Sequence, residues 1–305
     1  MAGSDTKGAR GSVPAASVRQ IDGVPLNDVA PPRHSGRWIA LILLLVLAGQ
    51  MAVAVAGNPN FHWHVFAEYL FHRNVLRGVL WTLGLTVAAM SVAVVLAIAL
   101  VVMRDSDNPI LRGLSWLWVW FFRGTPIYTQ LLFWGLFAVL FPVLSLSIPF
   151  GPELLTIETK RVITAMTAAI LGLAFNESAY LTEIFRAGFR AIDRGQTEAA
   201  QAIGIPKAKI WARILLPQAM RTIIPPTGNE TIGMLKMTSL VLAIPFTLDL
   251  MFATNAIANR LYLPVPLLMV AGFWYLVITS VLMVGQHYLE RHFGKGHDAG
   301  AGQRA

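Results

Sequence analysis

Asn176-Glu177 and Asn229-Glu230 each stand inside an otherwise apolar stretch of the chain. A charge held at the middle of a bilayer costs on the order of 3 kcal/mol, so such a group faces a protein interior or a water path. Glu177 or Glu230 can accept from an ammonium group, and Asn176 or Asn229 can donate to a carboxylate. Those are the two halves of recognition for a zwitterion. The plainer alternative is a Glu–Lys pair, with Lys236 and Glu183 close by in sequence, or a buried hydrogen bond that ties helices together. Asn176-Glu177-Ser178 and Asn229-Glu230-Thr231 also match the glycosylation pattern, but at membrane depth that match is accidental. Bond-making chemistry has no candidate. The sequence holds no HExxH, no GxSxG and no phosphate-binding GxxxxGK, so it is expected to be no enzyme and to hydrolyse no ATP itself. His62, His64 and His72 read as interfacial side chains on an aromatic connection rather than as metal ligands, and no metal or cofactor is expected.

Composition says what must position these groups. Of 305 residues, 55% are hydrophobic and 13% charged, against roughly 25% charged in soluble domains. The apolar residues gather into runs long enough to cross a hydrocarbon core, about 20 residues each. The chain is an integral, all-helical membrane protein with about six crossings. Its net charge of +8 reflects Lys and Arg collected in cytoplasmic loops, not nucleic-acid binding. With no cysteine, disulfides and thiolate chemistry are excluded.

Residues 1–37 have no apolar period and read as a disordered cytoplasmic tail. Residues 38–74 hold a first apolar helix, from Trp38 to Ala56, and an external connection. Ala54-Val55-Ala56 resembles a signal-peptidase site, but the long segment before it favours a retained helix. Residues 75–287 form the main membrane domain and 288–305 a cytoplasmic tail. Within that domain Val75 to Met103 is a span, and Leu111 to Phe122, rich in Trp, is expected along the interface. The next span is expected from Pro126, capped by Thr125, to about Leu146, with a loop forced by Pro149, Gly151 and Pro152. Val162 to about Tyr180 crosses and continues as helix through Arg190. Thr227 to Ala253 is expected as one span interrupted by Lys236 and Pro245, and Val265 to Gln286 as the last.

Charge orients this array. Of the 24 Lys and Arg, only Arg73, Arg77, Lys160, Arg161 and Arg260 fall on the side opposite the N-terminus, with Lys236 inside a span. That bias places both termini, and the basic loop near 191–221, in the cytoplasm.

The loop is built as a hinge. Gln196 to Ile203 is a run of helix formers, and Gly204 stands where a left-handed C-cap belongs. Pro206 suits the first turn of a second helix, which Pro217 is expected to stop. Ile210, Trp211, Ile214 and Leu215 give that helix one apolar stripe.

Glu198-Ala199-Ala200, Gly204 and Ile214-Leu215-Leu216-Pro217 together resemble the EAA loop of permease subunits of bacterial ABC importers. Arg123-Gly124-Thr125-Pro126 with Gln130-Leu131, the run Ser178 to Gly188, Gly228-Asn229-Glu230 and Leu235 to Leu240 are similar to the polar amino acid uptake branch. That branch more often carries Asp where Met237 stands, and the resemblance spans about Asn74 to Gln286. It implies a MetI-like permease fold and transport of polar amino acids or relatives such as opines across the inner membrane. It further implies a second permease chain, identical or related, two cytoplasmic ATPases that hold ATP and magnesium, and an extracytoplasmic solute-binding protein. Glu198, Ala199, Ala200, Gly204, Ile214, Leu216 and Pro217 would then dock on the ATPase. The rival reading is a secondary transporter driven by an ion gradient. It predicts inverted repeats and an intramembrane ion site, neither of which is evident.

Overall fold

The computed structural model describes residues 20–21, 24–25, 35–148 and 153–293. Two strands, β1 Gln20–Ile21 and β2 Val24–Pro25, pair antiparallel in the first unit of the chain, Met1–Asn58. With residues 35–37, which are already helical, they are the described part of the segment 1–37 expected to be a disordered tail; the rest of 1–34 and residues 294–305 lie outside the described residues. The same unit carries helix α1, Ser35–Gly57, which is long and apolar enough to cross a bilayer.

The second unit, Pro59–Ala305, opens with α2, Trp63–Leu70, and the long helix α3, Arg73–Arg104. His72 caps α3: its Nδ1 accepts the Asn74 N–H at 3.3 Å. Helix α4, Pro109–Gly124, has Asn108 as N-cap and Pro109 in its first turn, as helix chemistry favours. Its Ser115, Val119 and Phe122 are buried against α3 and the later helices, while Trp116 and Trp120 stack on the exposed side. Helix α5 follows at Ile127–Leu140. Two expectations change here. Thr125 closes α4, its Oγ1 donating to the Phe121 carbonyl, and Pro126 takes the N-cap position of α5. At 14 residues α5 is also shorter than the expected span, about 21 Å at 1.5 Å per residue. That is shorter than a hydrocarbon core of about 30 Å, and the extended residues Thr125 and Pro126 separate α5 from α4.

A hairpin replaces the expected plain loop. Strand β3, Val143–Ser147, pairs antiparallel with β4, Glu153–Glu158, with an irregularity at Leu146/Ser147. Pro149, Gly151 and Pro152 lie outside the described residues. A single turn, α6 Thr159–Val162, leads to α7, Ala165–Arg190, capped by Thr164. Two short helices follow, α8 Arg194–Ala202 and α9 Lys207–Ile210, then a π turn Trp211–Leu215 and α10, Leu216–Met237.

The expected span from Thr227 to Ala253 is instead three pieces. Helix α10 ends at Met237, a 3-10 turn covers Thr238–Ala243, and α11 is Leu250–Leu261. Pro245 disfavours helical dihedrals at the residue before it, so Ile244 turns extended and Asp249 caps a new helix through Oδ2. Lys236 sits exposed in the last turn of α10 rather than at mid-span. Helix α12, Pro264–Phe293, ends the described chain. Among the described residues α1, α3 and α12 are apolar enough to cross by composition alone. With 26 and 22 residues, α7 and α10 have the length but carry carboxylates.

Small side chains bring α3 and α7 together. Ala89, Ala93 and Ala97 recur along α3 and meet Ala168, Ala169 and Leu173 of α7 in one buried core. Between apolar helices in lipid, such residues let backbones approach closely and gain dispersion contacts. Gly78 does the same for α11: a Cβ there would lie 2.8 Å from the Leu250 Cα.

Candidate functional site: a capped loop and the carboxylates within the helices

The loop between α7 and α10 is defined by its caps. The Asp193 side chain accepts the Gly195 N–H at 2.7 Å and starts α8. At the other end Gly204 adopts φ 77°, its N–H bonds the Gln201 carbonyl at 2.9 Å, and the Ile205 N–H bonds Ala200 at 3.1 Å. Two bonds of that pattern around a left-handed glycine are a Schellman motif, and they hold the bend at one angle. Pro206 is the N-cap of α9, one residue earlier than expected. Glu198 and Ala199 point to solvent, Ala200 is buried, and Ile203 at the bend is 76% exposed. Ile203 was not among the expected contact residues; its place one residue before the glycine is the signal that marks it.

Pro217 does not stop the second helix. The Leu216 N–H bonds the Trp211 carbonyl, five residues back, and helical dihedrals run from Ile210 through Leu216 into α10. A π turn opens the register, so the proline falls in the first turn of α10, where its missing N–H is harmless. The apolar stripe faces inward only in part, with Trp211 itself 44% exposed. Ile210 is buried, and Trp211 stacks on Phe189 of α7 at 4.7 Å and 28°. Ile214 and Leu216 are half-buried and Pro217 is exposed. An apolar cavity of about 460 Å³ opens beside that stack, lined by Val101, Phe185, Met220, Ile223 and Thr227 among others.

Arg123, Gly124, Thr125 and Pro126 have a structural logic that the sequence did not disclose. Pro126 has no N–H to give the Phe122 carbonyl, four residues back. That carbonyl is satisfied from elsewhere: Gln130 Nε2 donates to it at 3.0 Å and Asn176 Nδ2 at 2.9 Å. Gln130 also reaches the Thr125 carbonyl and hydroxyl, stitching α4 to α5 across the break. Arg123 lies over the Tyr180 ring, 5.2 Å from its centre, and Trp118 Nε1 donates to Ser178 at 3.0 Å. Gly124 has open space around it. Helix α4 is thus keyed to α7 at several points, one of which uses Asn176, 4% exposed.

Glu177 is 1% exposed, and its Oε1 has no hydrogen-bond partner among the described residues. Glu230 on α10 is half-buried and within electrostatic reach of Glu177. Asn229 is exposed. Sequence placed these carboxylates on two helices; packing of α7 on α10 brings them to one place. Lys236 forms no ion pair among the described residues, where the pairs are Arg186–Glu183 at 2.9 Å and Arg161–Glu158 at 3.1 Å. The described residues hold no cluster of three or more potential metal ligands.

The profile of the family "Binding-protein-dependent transport system inner membrane component" matches residues 102–295. The arginine transport system permease protein ArgU of Corynebacterium glutamicum is 45% identical, over 93% of this chain and 87% of its own. The histidine/lysine/arginine/ornithine transport system permease protein HisM of Salmonella typhimurium is 34% identical, over 68% of this chain and 84% of its own. Among solved structures, an amino acid ABC transporter crystallised with histidines superposes with a TM-score of 0.60 at 30% identity, covering 74% of this chain and 97% of that one. The methionine transporter MetNI, at 16% identity and a TM-score of 0.52, covering 72% and 95%, shares the fold.

Proposed function

This chain belongs to the family of binding-protein-dependent transport inner membrane components, and on that premise we propose that it is the permease subunit of an ATP-driven ABC importer of polar amino acids or close relatives such as opines. The family implies an ATPase and a solute-binding protein as partners. ATP and magnesium belong to the ATPase, and a second permease chain completes the pathway. The relatives' names favour cationic amino acids as the first substrates to test. Relatives that are permease subunits of ABC systems leave the ion-driven reading without support.

The observation that carries the docking assignment is the solvent-facing bend at Gly204, clamped at both ends and rooted by Trp211 on Phe189. Glu198, Ala199, Ala200 and Gly204 form the seat for the ATPase, and Ile214, Leu216 and Pro217 carry its motion onward. Because the helix is continuous from Ile210, a tilt imposed at the loop reaches Glu230, about 30 Å along the helical path at 1.5 Å per residue. Of the residues proposed for the substrate path, Asn229 and Glu230 on α10 face it, and Asn176 and Glu177 on α7 belong to the packing that frames it. The membrane is the bacterial inner membrane, with both termini and the loop in the cytoplasm. Residues 1–37, 38–74, 75–287 and 288–305 serve as tail, extra helix with its connection, permease domain and second tail.

Glu198→Lys reverses a charge on the seat, and Gly204→Trp forces a side chain onto a left-handed residue. Both variants should reach the membrane at parental abundance yet lose co-purification with the ATPase, or lose its stimulation by the binding protein. If both retain full coupled ATP hydrolysis, the loop is not the seat.

A further inference from the structure

A second cavity, of about 370 Å³, lies between the first turns of α3 and the helix α11, and it is lined by Asn74, Arg77, Thr247, Phe252, Ile257 and Arg260 among others. Two guanidinium groups from distant parts of the chain therefore share one opening. No carboxylate lines it. Both arginines are exposed, and neither takes part in an ion pair among the described residues. Asp249, which caps α11, is fully buried and its Oδ2 is occupied by the Met251 and Phe252 N–H groups, while Glu68, the acidic residue nearest Arg77 along the chain, is exposed on α2 and does not line the pocket.

The spacing of the two arginines is set by packed helices. Gly78, next to Arg77, admits the Leu250 backbone, and the Leu250 N–H donates to Thr82 at 3.1 Å. Arg260 stands in the last turn of α11, where a cation suits the helix dipole. Both also belong to the small cationic set on the face opposite the basic loop. Two like charges left unpaired at one opening repel each other. A planar fork such as guanidinium holds a carboxylate with two parallel hydrogen bonds and removes that repulsion.

We propose that this pocket receives the carboxylate of an Asp or Glu side chain on the extracytoplasmic solute-binding protein. The inference rests on the importer reading and on its orientation. A free amino acid fits worse: its ammonium would sit beside two cations, since Glu177 and Glu230 do not line the pocket. A side-chain carboxylate brings no such mismatch, and Phe252 and Ile257 give its methylenes an apolar wall.

The test uses the whole importer in vesicles of zwitterionic lipid, titrated with its solute-binding protein. Arg77→Gln and Arg260→Gln should each raise the binding-protein concentration for half-maximal ATP hydrolysis by about tenfold, and the double reversal to Glu by more. Basal hydrolysis and the rate at saturating binding protein should stay parental in the single variants, and added salt should narrow the gap. An Asp→Arg or Glu→Arg change on the binding protein that restores the doubly reversed permease would identify the partner carboxylate. Half-saturation unchanged within about twofold would overturn the proposal. So would a shift confined to vesicles containing phosphatidylglycerol, which marks a lipid site, or a loss of free amino acid binding at unchanged binding-protein affinity. If the parent itself shows no stimulation by the binding protein, the importer reading falls and this proposal with it.

Discussion

Glu177 and Glu230 share a neighbourhood but not a setting. Glu177 is enclosed, with one oxygen unmatched among the described residues, whereas Glu230 is half-open on the helix that follows the loop. We assign Glu230 to the path and Glu177 to the packing between helices. Glu230→Gln should change uptake or substrate preference at parental abundance. Glu177→Gln should change abundance or thermal stability, because altering a buried polar group shifts stability by about 1–3 kcal/mol. Quantitative blotting with labelled amino acid uptake separates them, and parental values for both variants would leave selectivity to the binding protein. At the same scale, the Phe122 carbonyl depends on Gln130 and Asn176. Gln130→Leu should lower the melting temperature of the purified protein, and an unchanged value would show the break at Pro126 to be held by packing alone.

At the scale of elements, the junction of α3 and α11 is a close approach to backbone. Gly78→Val adds a branched side chain where even a Cβ meets the Leu250 backbone. Overpacking of that kind costs about 1–3 kcal/mol, and it should lower abundance and disturb the pocket shared by Arg77 and Arg260. Gly84, on the same helix with open space around it, is the control: Gly84→Val should be tolerated. Equal abundance of the two variants would show that α11 yields.

For the whole molecule, orientation is the open quantity, and the absence of native cysteine makes it measurable. Lys207→Cys should react with a membrane-impermeant maleimide only from the cytoplasmic side, and Tyr262→Cys, 89% exposed in the wild type, only from outside. The opposite pattern would invert the topology and remove the basis for both the docking loop and the arginine pocket. Deleting residues 1–33 should leave uptake within a few-fold. Complete loss of transport by a stably inserted truncation would give that segment a function.

Composition and local pattern reach as far as local forces do. Apolar runs report α1, α3 and α12 because a helix in lipid must satisfy its own backbone and expose apolar side chains. Gly204 announces the loop's bend because a cap acts over a few residues, and the family resemblance rests on short patterns of the same kind. Tertiary structure decided the rest. Whether Pro217 ends a helix or begins one depends on a π turn anchored by Trp211 on Phe189, a contact between separate helices. Whether Thr125 caps α5 or closes α4 depends on amides delivered from Gln130 and from Asn176 on α7. The approach of Glu177 to Glu230, and of Arg77 to Arg260, follows from small residues that let helices touch. None of these pairings has a period or a spacing along the chain, because the distance that matters is set by packing rather than by sequence separation.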